Sequence, residues 1–91
     1  MQTRIALSGI MVEDMGATER INALLHEYSR YVVGRMGIPY RDRGVSIISV
    51  VLDAPGNDIS TLAGRLGQIK GVSVKTIYSK EPEPKGHDGD A

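Results

Sequence analysis

Few residues in this chain are placed to do chemistry, and the densest group is Arg35-Met36-Gly37-Ile38-Pro39-Tyr40-Arg41-Asp42-Arg43-Gly44. Its arginines can hold a carboxylate or phosphate through paired N–H donors. The same segment has a purely structural reading, in which Asp42 between two arginines closes a turn. Tyr40, Arg41 and Arg43 are its candidate ligand-binding residues. A second candidate is Asp14-Met15-Gly16, just before a helix, where free backbone amides at the helix start can receive an anion.

Catalytic and metal chemistry find less. The two histidines are His26 and His87. His26 falls on the polar side of a helix, and its neighbour at helical spacing, Arg30, repels a cation. With scattered carboxylates and no cysteine, this is not a ligand set. No serine is coupled by motif to a histidine. Glu13 and Asp14 are adjacent, so in a strand they point apart rather than forming an acid–base pair. Gly64-Arg65-Leu66-Gly67 lies within a helical pattern and lacks the Gly-Lys-Ser/Thr ending of a phosphate loop. The expectation is a protein that is not an enzyme and has no metal or other cofactor.

These residues sit in 91 positions, the length of one domain. The absence of cysteine excludes disulfides, thiolate metal sites and a cysteine nucleophile, and fits a reducing compartment. The N-terminus lacks the apolar core of a signal peptide, and no apolar stretch approaches the roughly 20 residues of a membrane span. A cytoplasmic location is expected, with no membrane partner. Formal net charge is zero, but residues 1–80 hold ten basic and seven acidic residues, a net +3. That is too mild for a dedicated nucleic-acid binder.

The elements that must position the candidates follow from periodicity. Residues 3–13 alternate as a strand, with Ile5, Leu7, Gly9 and Met11 on one face and Ala6, Ser8, Ile10 and Val12 on the other. A helix is predicted from Ala17 to Val33, with Ile21, Leu24, Leu25, Tyr28 and Val32 as its apolar stripe and Gly34 as its stop. A short strand over Arg35–Tyr40 follows, at a sheet edge because Pro39 cannot donate to a ladder. A tight turn from Asp42 to Gly44 leads into a strand over residues 45–53. Asn57 or Asp58 is the expected cap of a second helix carrying Ile59, Leu62, Ala63, Leu66 and Ile69, ended by Gly71. Gly64 and Gly67 inside it suggest a close backbone neighbour. A last strand covers 72–79, and 80–91 form a polar, acidic tail expected to be disordered.

Strand, helix, strand, strand, helix, strand is the ferredoxin-like βαββαβ plan: an α+β sandwich in which a four-stranded antiparallel sheet carries two helices on one face. Both faces of the first and third strands are apolar, so one face stays uncovered in a monomer. Each Val, Leu or Ile buried is worth about 1.5–3 kcal/mol, which favours assembly. Ile10, Val12, Ile48, Val50 and Leu52 are assigned to that subunit interface.

Residues 31–44, together with Ile47-Ile48-Ser49-Val50-Val51-Leu52-Asp53 and the run from Leu62 to Lys75, with its Leu-Gly-Gln-Ile-x-Gly-Val pattern, resemble the family of iron-only hydrogenase system regulators. The resemblance spans about residues 3–79. It implies an ACT-like domain, related in shape to the regulatory domain of the nickel-responsive repressor, that forms dimers or tetramers through its sheet. It also implies regulation of a hydrogenase system in anaerobic bacteria. The chain has no ribbon-helix-helix segment and lacks the repressor's His and Cys nickel ligands, so no direct nucleic-acid binding is expected. The resulting expectation is a regulatory module that binds a small-molecule effector and acts as a homodimer or homotetramer. The alternative is a module that binds a protein partner and needs no ligand.

Overall fold

The computed structural model describes residues 2–80. Among them the elements run β1 (Arg4–Val12), a 3-10 turn (Met15–Ala17), α1 (Thr18–Glu27), a second 3-10 turn (Ser29–Tyr31), β2 (Val32–Tyr40), a third (Arg41–Arg43), β3 (Val45–Ala54), α2 (Gly56–Gly67) and β4 (Val72–Tyr78). The four strands form one antiparallel sheet in the order β2-β3-β1-β4. This is the ferredoxin-like α+β fold expected from the element order. The acidic tail lies, from residue 81 on, outside the described residues.

Period-two alternation decides what the helices cover. Ala6, Ile10 and Val12 of β1 and Val50, Leu52 and Ala54 of β3 point under the helices and are at most 1% exposed. Ile21 and Leu25 of α1, with Ile59, Leu62 and Leu66 of α2, close the core from above. Ser8 is the buried polar residue of this layer; its hydroxyl and that of Thr76, directly opposite on β4, are 2.9 Å apart and hydrogen-bonded.

Several local expectations need correction. Helix α1 ends at Glu27, not Val33, because Tyr31 and Val32 are worth more elsewhere. Val32 pairs with Leu52 and packs on the core from a strand, as β-branched residues favour. Gly34 is therefore no helix stop; it follows a bulge in β2, where the register shifts between Val32 and Gly34. Helix α2 starts at Gly56 without a side-chain cap. Asp58 instead accepts a hydrogen bond of 3.3 Å from the Tyr31 hydroxyl. An added Cβ on Gly64 or Gly67 would meet nothing within 4 Å, so no neighbouring backbone explains them. The edge position of β2, with Pro39 in it, is as expected.

Candidate functional sites at the end of the sheet

The assigned interface set lies on the wrong face. Ile10, Val12, Val50 and Leu52 are core residues at 0–1% exposure, and Ile48 packs against them. The apolar surplus is instead on the other face. There Ile5, Leu7, Met11, Met36, Ile38, Tyr40 and Ile77 stand 44–67% exposed around half-buried Ile47 and Val51. The registers hold this set together: Ile77 lies opposite Leu7, Leu7 opposite Val51, and Met11 opposite Ile47, which faces Ile38.

The ligand candidates divide between two open clefts. Tyr40 and Arg43 line one of about 490 Å³ with Met11, Glu13, Gly44, Val45 and Ile47. The third 3-10 turn places them: it ends at Gly44, whose φ of +67° is the left-handed conformation that lets the chain reverse into β3. The turn expected around Asp42 thus exists and aims Arg43 at the end of the uncovered face. Arg41 is exposed and lines neither cleft.

Asp14 and Gly16 line the other cleft, of about 260 Å³, with Ala17, Arg20, Ile69 and Lys70. Its loop is already satisfied from within, since Asp14 Oδ1 accepts from the Gly16 amide at 2.9 Å. The Glu13 amide donates to the Gly71 carbonyl at 2.7 Å, tying β1 to the turn before β4. Gly71 has φ +80°, and an added Cβ there would collide with Asp14, whose nitrogen would lie at 3.1 Å. Met15 projects into solvent at 58% exposure.

The cluster Arg30, Arg35, Arg41 and Arg43 does not converge on one anion. Arg35 donates to Asn22 Oδ1 at 2.9 Å, and Arg30 donates to the Tyr31 hydroxyl at 3.2 Å and covers its ring. Only Arg43 of the four reaches a cleft described above. Sequence reasoning missed Arg20 and Lys70, which enter through the fold rather than through any motif. Glu13 enters as well, placed on the side of Met11 by the alternation of β1. Among the described residues no three His, Cys, Asp or Glu side chains come together as metal ligands. No helix among them is long and apolar enough to cross a membrane.

Comparison with known proteins places this arrangement. Residues 4–76 match the TM1266-like family model, described as "Iron-only hydrogenase system regulator, putative". A solved structure of the uncharacterized protein TM1266 from Thermotoga maritima superposes with a TM-score of 0.83 at 38% identity, covering 87% of this chain and 100% of that one. No curated protein shows a significant match. The family match spans both clefts, all of β1, β2 and β3 and most of β4, and the chain belongs to the TM1266-like family of iron-only hydrogenase system regulators.

Proposed function

We propose that this chain is a non-catalytic regulatory module whose copies assemble through the uncovered sheet face, with a small effector held in the Tyr40–Arg43 cleft at the rim of that face. The observation that carries the reading is the exposed apolar set on β1, β2 and β4, which the strand registers gather into one contiguous patch of the kind that marks an interaction site. The cleft shares Met11 and Ile47 with that face, so an effector bound there touches the assembly surface directly. Arg43 supplies guanidinium donors and Tyr40 a hydroxyl and a ring, which suits an effector with a carboxylate or phosphate and an apolar body.

Thermal unfolding against a panel of carboxylates, nucleotides and amino acids tests this. A saturable rise in the midpoint, lost in Arg43→Ala, is expected. No rise with any compound, together with an unchanged sedimentation profile, counts against it. A second reading, a docking module for another protein, is favoured by the same exposed apolar sheet face. Capture of a partner from the native host that is abolished by Leu7→Asp, with no effector required, selects that reading.

A further inference from the structure

The uncovered face carries two glycines that its own chain does not need. Gly9 and Gly34 lie within strands, and neither has the positive φ found at Gly44 and Gly71. An added Cβ on Gly9 would meet only the Lys75 carbonyl oxygen, at an ordinary 3.9 Å, and on Gly34 nothing within 4 Å. Glycine inside a strand weakens it and often marks a bulge or a place where another group approaches; Gly34 does follow the β2 bulge, but without the left-handed φ that would call for glycine there.

The registers show what surrounds these gaps. Met36, Ser49, Gly9 and Lys75 form one row across the sheet, and Gly34, Val51, Leu7 and Ile77 form the next. In the first row a long side chain on β2 is matched by a gap on β1. In the second the gap is on β2 and the long side chain on β1. A twofold axis running along β3 through Ser49 exchanges β1 of one copy with β2 of the other. It lays Met36 over Gly9 of the second copy and Leu7 over Gly34 of the second copy, and repeats both contacts in reverse.

We propose that Gly9 and Gly34 are sockets for Met36 and Leu7 of a second copy of this chain, in a face-to-face dimer whose twofold axis follows β3. This rests on the assembly reading above and fixes its geometry. Such reciprocity is what an isologous interface requires. The overlap spans three strands; at about 4.8 Å between strands and about 3.3 Å per residue its flat footprint is roughly 430 Å² per copy. The relief of protruding side chains adds to that and brings the pair to the order of 1,000 Å² that a specific interface needs. The same axis carries Glu13 of the second copy toward Tyr40, within reach of a hydrogen bond from the phenol. The two Tyr40–Arg43 clefts then meet, and each effector site is completed by the other protomer.

Sedimentation velocity on the full chain tests the arrangement, with Gly9→Val, Gly34→Val and Met11→Asp beside the parent. Both valine variants should keep the parent circular dichroism while association weakens about tenfold or more. Because the chain has no cysteine, single-cysteine chains report proximity directly. A mixture of Gly9→Cys and Met36→Cys chains should cross-link with a short bis-maleimide, and a Lys75→Cys chain should not cross-link to its own copy, because the axis along β3 sets the two β4 strands about 19 Å apart across the sheets. If Met11→Asp dissociates the assembly while both valine variants associate like the parent, the uncovered face assembles but the socket arrangement is overturned. A parent chain that stays monomeric at high micromolar concentration overturns the assembly reading and the sockets together.

Discussion

The two faces of the sheet are built by the same strands from nearly the same residue types, yet they do different work. The covered face holds Ala6, Ser8 and Ala54 among its larger residues, small side chains that let the helices come down close. The uncovered face holds long or branched ones, Ile5, Leu7, Met11 and Ile77, which need depth to bury. Hydrophobicity therefore does not distinguish a core face from an exposed one here; the side on which the helices pack does.

Charge insertion should separate the faces most sharply. Val50→Asp puts an unpaired carboxylate in a fully buried position and should cost about 4 kcal/mol or more, enough to prevent folding. Leu7→Asp should leave the protomer folded and abolish association. Circular dichroism beside sedimentation reads both, and equal effects on folding would erase the distinction. Truncation gives the next largest contrast: Ile10→Ala should lose about 2–5 kcal/mol in urea unfolding, while Met11→Ala should change the dilute protomer by about 0.5 kcal/mol at most.

Gly71→Ala should cost about 1–3 kcal/mol, from the left-handed backbone alone, and more from its collision with Asp14. Ser8→Ala leaves the Thr76 hydroxyl without its partner and should cost about 1 kcal/mol. Adding Thr76→Val should return most of that. The smallest effect belongs to Glu27 on the helical surface. The hydrogen bond from Arg65, at 2.9 Å, holds its carboxyl below the usual carboxylate range. The contribution is therefore present above the ordinary carboxylate pKa and lost as pH falls through the lowered one. Both side chains are largely exposed, so Glu27→Gln should remove a difference that salt already screens.

The element order was readable because the period-two and helical patterns are strong in β1, β3 and α2. The end of α1 was not, because Tyr28 and Val32 continue a helical stripe in sequence while Val32 packs on the same core from a strand. The choice of face failed for a related reason. Ile48, Val50 and Leu52 are as apolar as Val45, Ile47 and Val51, and the helices select between them only in three dimensions. Of the candidate site, Arg43 and Tyr40 were legible from the glycine-bounded turn that aims them. Arg20 and Lys70 were not, being brought to Asp14 by the packing of α1 and the α2–β4 turn.

Glu13 and Asp14 are consecutive, and one lines the cleft at the rim of the sheet while the other lines the cleft beside the helices. The peptide just before them is pinned by the hydrogen bond from the Glu13 N–H to the Gly71 carbonyl, at the threshold of β4. A guest in either cleft therefore lies against a residue within one position of that amide. The Glu13 N–H is thus a hydrogen-exchange probe that borders both pockets, and the strand it leads to, β4, is one of the two edges of the sheet.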